Sequence, residues 1–232
     1  MHPSAVSNGR AFFETYADDI LEGRVIDIGA QNVNGSLKDL CPGHLVYTGV
    51  DFVAGKGVDV VLDDPYVLPF EDGSIEVVLS SSVFEHVELF WVLFLEIMRV
   101  LKPQGLFYMN APSAGLFHRY PVDCWRFYPD SGNALLKWAH RNNYDPVLLE
   151  SFIARQENDM YNDFVAVYLK DKTQLSRYKD RILDAKQDFT NGVKTDEKGV
   201  QTAFLNQNAQ PEDLEKLNLI RGVLAGSVKM KK

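Results

Sequence analysis

Arg24–Ala30, RVIDIGA, is a short apolar run that closes on a glycine. Such a run reads as a buried strand and the turn after it, and Asp27 stands just inside that turn. Gly29 has no side chain and tolerates positive φ, so the backbone there can approach a ligand closely. Working outward, Leu45–Phe52 and Val58–Leu62 read as the second and third strands, each ending near acidic residues, and Ile75–Ser80 as the fourth. Val87, Phe90, Trp91, Phe94, Leu95, Met98 and Leu101 then recur at helical spacing until Lys102-Pro103-Gln104-Gly105 stops them. Leu106–Asn110, Val147–Ile153 and Phe164–Leu169 complete the strand series, with helices expected over Ala11–Leu21 and about 130–142. Strands alternating with helices predict an α/β fold with a mostly parallel sheet, whose ligands bind beyond the carboxyl ends of the strands.

The 232 residues allow one full domain and an appendage. At 46% hydrophobic and 24% charged, the composition excludes disordered and low-complexity classes. Net charge is −8 overall, with −11 over residues 1–170 and +3 over 171–232. An acidic body disfavours a nucleic-acid partner, whose phosphates demand cations. The start, MHPSAVSNGR, lacks the pattern of a secretory signal, and the most apolar stretch, Val87–Leu101, is interrupted by charges and too short to span a bilayer. Two cysteines, Cys41 and Cys124, make neither a disulfide framework nor a zinc site. The expectations are a cytoplasmic location, no membrane insertion, no nucleic acid and no metal cluster.

Asp51 follows the Gly29 turn by about 20 residues, at the tip of the next strand, where an acid accepts hydrogen bonds from ribose hydroxyls. Nicotinamide enzymes use G-x-G-x-x-G there; Gln31 and Val33 break that spacing, and the next glycine is Gly35. Asp63-Asp64 at the third strand end offers a second acidic site, suited to an exocyclic amino group.

The ordered series VIDIGAQNVNGS, YTGVDF, VDVVLDDPYVLPFEDGSIEVVLSSSVFEHV and EIMRVLKPQGLFYMNAPS resembles the class I S-adenosylmethionine-dependent methyltransferases, most closely the type 11 group of small bacterial enzymes. The resemblance covers roughly residues 22–170. It implies a Rossmann-like fold with a seven-stranded sheet, an antiparallel last strand and helices on both faces. It implies S-adenosylmethionine as cofactor, with Asp27 and Gly29 beside the methionine moiety, Asp51 on the ribose, Phe52 against adenine and Asp64 at the adenine amino group. Ser81, Ser82 and Val83 would line the pocket after the fourth strand. Two departures stand out: Gln31 and Val33 replace the family's usual glycines, and Pro65 removes an amide that many relatives turn toward adenine.

Loop 118–128, HRYPVDCWRFY, follows the fifth strand on the side where an acceptor enters. Residue types able to bind or catalyse crowd this loop, a common design for functional sites. His118 and His86 are candidate bases, and Arg119, Tyr120, Asp123 and Arg126 candidate acceptor contacts. The expected activity is methyl transfer to a small molecule, through a hydroxyl, carboxylate or phosphate oxygen. The alternative is a catalytically silent binding or partner subunit. Domain limits are expected at 1–23 (helical lead-in), 24–170 (cofactor-binding domain) and 171–232 (helical extension, a candidate homodimer surface). A chain ending near residue 172 is expected to fold, because the strand series closes before that point.

Overall fold

The computed structural model describes residues 2–157 and 161–228; Met1 and the last four residues of the expected extension lie outside them. One nine-stranded sheet runs through these residues in the order β3-β2-β1-β4-β5-β7-β6-β8-β9. Strands β1 (Gly23–Ile28), β2 (Leu45–Asp51), β3 (Val60–Val61), β4 (Ile75–Ser81) and β5 (Leu101–Ala114) pair in parallel. The remaining four, β6 (Val147–Ala154), β7 (Asn162–Leu169), β8 (Phe189–Thr195) and β9 (Gln201–Phe204), join by antiparallel pairing only.

Helices cover both faces. Helices α2 (Phe90–Val100) and α3 (Ser131–Arg141) pack on the face bearing Ile26, Ile28, Val78 and Phe107. The other face, with Val25, Val77, Leu79 and Tyr108, is covered by α1 (Pro3–Tyr16), through Phe12, Phe13 and Tyr16. Burial of each such side chain is worth about 1.5–3 kcal/mol. Helix α1 starts eight residues before the expected Ala11 because its first half is small and polar rather than amphipathic. That half is nonetheless buried: Gly9 lies so close to Leu37 that a Cβ there would sit 2.4 Å from its Cδ2. Ser4 Oγ donates to Asp163 Oδ2 at 2.6 Å, and Asn8 Nδ2 to Asn110 Oδ1 at 3.0 Å.

The seven-stranded sheet and the purely helical extension need correction. Residues 189–204 form the hairpin β8–β9 on the β6 edge. Only a short helix, α4 (Ile182–Ala185), and a surface helix, α5 (Glu212–Leu224), are α-helical in this region. The hairpin strand β9 is exposed at all four residues, so it carries no hydrophobic alternation for a reader to find. Leu175, Tyr178, Ile182 and Val193 are buried in the two cores, which makes residues 171–195 part of the body rather than an appendage. Truncation near residue 172 would strip that packing away.

Candidate active site

The carboxyl ends of β1, β2, β4 and β5 meet at one edge of the sheet, in the register Asp27↔Gly49, Ile28↔Ser80 and Ser81↔Asn110. Gly29 leaves β1 at φ +78°, and a Cβ on it would stand 2.1 Å from Val83 Cγ2, so the turn requires glycine twice over. Asp27 is buried, and its carboxylate accepts from the Tyr47 hydroxyl. Burial pushes its pKa up to about 7 against the opposing Tyr47 bond, and the Asp51 charge adds to the rise. Asp51 closes β2 with Oδ1 accepting from Val53 N at 3.0 Å and Oδ2 from Gln31 N at 3.4 Å. Its peptide oxygen also receives Leu62 N at 2.8 Å, which draws the Asp63-Asp64 turn toward the same edge. Asp64 is exposed and accepts from Tyr66 N at 2.8 Å, while Phe52 is half exposed. Ser82 adopts φ +57°, and the neighbouring Ser80 and Ser81 hydroxyls are buried without hydrogen-bond partners among the described residues.

Loop 118–128 folds back over the segment between β4 and α2. Cys124 N and Trp125 N donate to the Glu85 carbonyl at 2.7 and 3.2 Å, Trp125 Nε1 to the Val87 carbonyl at 3.1 Å, and Phe127 N to the Pro112 carbonyl at 3.0 Å. Phe127 is buried against Phe84, Phe90 and Phe164. Arg126 spends its guanidinium inside the loop: it holds both Asp123 oxygens, at 2.5 and 2.9 Å, and the carbonyls of Leu116 and Trp125. Those bonds keep the Asp123 carboxyl down at about 2. Asp123 in turn receives His118 N at 2.7 Å. Arg119 and Tyr120 are exposed, and the Tyr120 hydroxyl bonds to Gln31 Oε1. The residue that departs from the glycine-rich pattern thus ties the loop to the Gly29 turn.

The loop brings its own His118 against Glu85 and His86 below it, and the candidate ligand atoms of the three all lie within 4.8 Å of one another. The expectation of no metal cluster rests on the two cysteines, whereas these groups are a glutamate and two histidines, and 32 positions separate His86 from His118. Glu85 is 0% exposed, and neither of its oxygens has a hydrogen-bond partner among the described residues. Burial pushes its carboxyl up to about 8. Burial also lowers the His86 pKa, against the bond from its Nδ1 to the Val122 carbonyl.

A methyltransferase-domain family matches residues 27–109. Shorter stretches match uncharacterized methyltransferases: 54% identity over 39 residues with one from Mycolicibacterium gilvum, covering 17% of this chain and 15% of that protein. One from Mycobacterium avium is 40% identical over 65 residues, 28% of this chain and 25% of that protein. The chain therefore spans a quarter or less of the length of these curated relatives. The Burkholderia thailandensis 1,6-didemethyltoxoflavin-N1-methyltransferase, solved with bound 1,6-didemethyltoxoflavin and S-adenosylhomocysteine, superposes with TM-score 0.53 at 16% identity, over 72% of this chain and 78% of that one. The fold is that of a class I methyltransferase.

Within this methyltransferase fold, the residues that the resemblance assigns to a cofactor, Asp27, Gly29, Asp51, Phe52, Asp64, Ser81 and Ser82, all lie at or just beyond the carboxyl edge of β1–β4. A cleft of about 390 Å³ lined by Glu22, Glu76, Lys102 and Arg177 lies at the opposite end, where β1, β4 and β5 begin, and carries no such constellation. Glu85 is not among the candidate residues that the sequence singles out; α2 begins only at Phe90, so Glu85-His86 belongs to the strand-to-helix connection. A glutamate directly after Phe84 in an apolar run was the one available signal. Among the described residues no helix is long and apolar enough to cross a membrane.

Proposed function

We propose that the protein transfers a methyl group from S-adenosylmethionine to an oxygen of a small acceptor. The observation that carries this reading is the carboxyl edge itself. There a glycine turn that a Cβ would block, an acid at the tip of β2 and the unpartnered Ser81 hydroxyl face a loop dense in polar groups. These features fit the cofactor: Asp51 would hold its ribose, the Gly29 turn its methionine end, and Phe52 with Asp64 its adenine. When bound, it supplies a methyl group already activated by the sulfonium.

The protein's work is then orientation. Holding an acceptor oxygen in line can lower a barrier by about 7–11 kcal/mol in favourable cases. Tyr120 and Arg119, exposed on the covering loop, would contact the acceptor, and Asp123 with Arg126 would hold the loop in shape. A hydroxyl acceptor must also lose its proton; with no ion bound there, the imidazoles of His86 and His118 would take it. The free thiols Cys41 and Cys124 suit the reducing cytoplasm. Exposed Leu217, Ile220 and Leu224 lie at helical spacing on α5 and suit a homodimer contact.

Calorimetry with S-adenosylmethionine and S-adenosylhomocysteine, with NAD as control, tests the cofactor: binding of NAD in their place would overturn the reading. Labelled-methyl transfer into a fractionated cell extract tests the activity. Cofactor binding without transfer to any fraction would favour the silent module. Sedimentation of the full chain tests the dimer, and a monomer at every concentration would remove it.

A further inference from the structure

We propose that Glu85, His86 and His118 form a binding site for a divalent transition-metal ion, with zinc the best chemical match. The three facing atoms are all electron-pair donors. His86 Nδ1 is turned to the Val122 carbonyl, which accepts a hydrogen bond only, so the ring proton sits on Nδ1 and Nε2 is left with its lone pair. His118 repeats the arrangement: its Nδ1 lies 3.1 Å from the Leu116 carbonyl and 3.7 Å from Asp123 Oδ2, which places its proton there too. Both Nε2 atoms lie near Glu85 Oε1, at 3.7 Å for His86 and 3.9 Å for His118. These separations are too long for hydrogen bonds. They are close to what an ion imposes, since ligand bonds of about 2.0–2.2 Å in a tetrahedron put neighbouring ligand atoms about 3.3–3.5 Å apart. The two histidine donors lie within 4.8 Å of each other, so bringing all three atoms to that spacing takes up to about 1.5 Å of side-chain closure, chiefly of His118 on its loop.

The surroundings have the form of a metal centre. Metal-bound histidines usually give their second ring proton to a backbone carbonyl or a carboxylate, and both do so here. Glu85, fully buried with both oxygens unpartnered, is the kind of group that demands an explanation, and a bound ion supplies one. The His118 side chain is 33% exposed, which leaves a way in from solvent. Two histidines and one carboxylate match a zinc site that keeps a position open for water or a substrate oxygen.

The role of such an ion rests on the methyl-transfer reading. An acceptor hydroxyl on the open position would have its pKa lowered by the metal, so that it could release its proton to solvent before transfer. The site itself does not depend on that reading. The full chain, stripped with a chelator, is titrated with Co(II) and then Zn(II), and visible absorption and metal content are followed. We expect one ion per chain, a d–d spectrum of low coordination number, and displacement of cobalt by zinc. Glu85→Gln and His118→Ala should each weaken binding at least tenfold while the protein still melts cooperatively. His118 lies on the covering loop, so its variant remains informative if Glu85→Gln fails to fold. Substoichiometric binding by the parent, or His118→Ala binding as the parent does, would overturn the proposal. Calorimetry with S-adenosylhomocysteine on the stripped protein separates the two ideas: cofactor bound without metal sinks only the metal site, and metal bound without cofactor sinks only the transferase reading.

Discussion

Glu85, at the carboxyl edge of the parallel strands, and Glu150, in the antiparallel half of the sheet, are both 0% exposed, yet their surroundings are opposites. Glu150 Oε1 accepts from the Tyr16 hydroxyl at 2.5 Å and from Ile182 N at 2.7 Å, and Oε2 from Leu183 N at 2.9 Å. One carboxylate on β6 thereby gathers the end of α1 and the start of α4. Glu85 has no such donors. A buried polar group that the fold satisfies completely is structural, while one left unsatisfied beside two histidine lone pairs points to something the protein binds. Glu150 joins distant elements of the antiparallel half, while at the carboxyl edge of the parallel half Glu85 and the Ser80 and Ser81 hydroxyls have no partner among the described residues.

The largest effect that would break this contrast is at Glu150. Glu150→Ala leaves the Tyr16 hydroxyl and two amides without an acceptor and should cost about 3–5 kcal/mol, from about 1–3 kcal/mol for each orphaned donor less some relaxation. Thermal melting should fall by about 10 °C for a chain of this size. Melting within a degree or two of the parent would show that Glu150 does not join these elements.

Next comes Asp51→Ala, which should act on ligand rather than on stability. Loss of a charged acceptor for ribose is worth about 1.5–3 kcal/mol, or about 10–150-fold in S-adenosylhomocysteine affinity, with a smaller loss of melting temperature than for Glu150→Ala, because the freed Val53 amide belongs to an exposed residue and the Gln31 bond is long. Calorimetry beside a melt decides it; unchanged affinity would remove Asp51 from the site.

Asp163 is the intermediate case, buried at 3% exposure with the Ser4 hydroxyl as donor. Burial raises its carboxyl from 3.8 to about 6. A folded-state pKa above the unfolded value means that its stabilising contribution is complete below about pH 4 and declines as pH rises through about 6. Asp163→Asn should therefore melt with a flatter dependence than the parent between those limits. Parallel melting curves from pH 4 to 7 would contradict the assignment.

The smallest expected effect is at Glu85 in metal-stripped protein. Glu85→Gln keeps the shape and removes no hydrogen bond seen in the structure, so stability should change by less than about 1 kcal/mol. A large loss on a par with Glu150→Ala would mean that Glu85 is a structural group after all.

The parallel half of the fold was legible in the sequence because its strands are short apolar runs ended by glycine or acid, as in RVIDIGA and LVYTGVD. Their order along the chain dictates a crossover sheet, and with it the edge at which Asp27, Gly29 and Asp51 gather. The first turns of α1 and the hairpin β8–β9 were not legible. Ser4, Asn8 and Gly9 look like loop residues and are helical because Asp163, Asn110 and Leu37 lie opposite them. Strand β9 is exposed throughout and exists because β8 offers it an edge. The sequence by itself determined the crossover series and the acids and glycine at its tips, since these depend on neighbours within a few residues. Only the tertiary structure decided that Glu85, His86 and His118 come together and that Glu150 holds three distant donors. Both depend on residues that the chain brings together from far apart: 32 positions for His86 and His118, which meet ring to ring, and 134 for the hydrogen-bonded Tyr16 and Glu150.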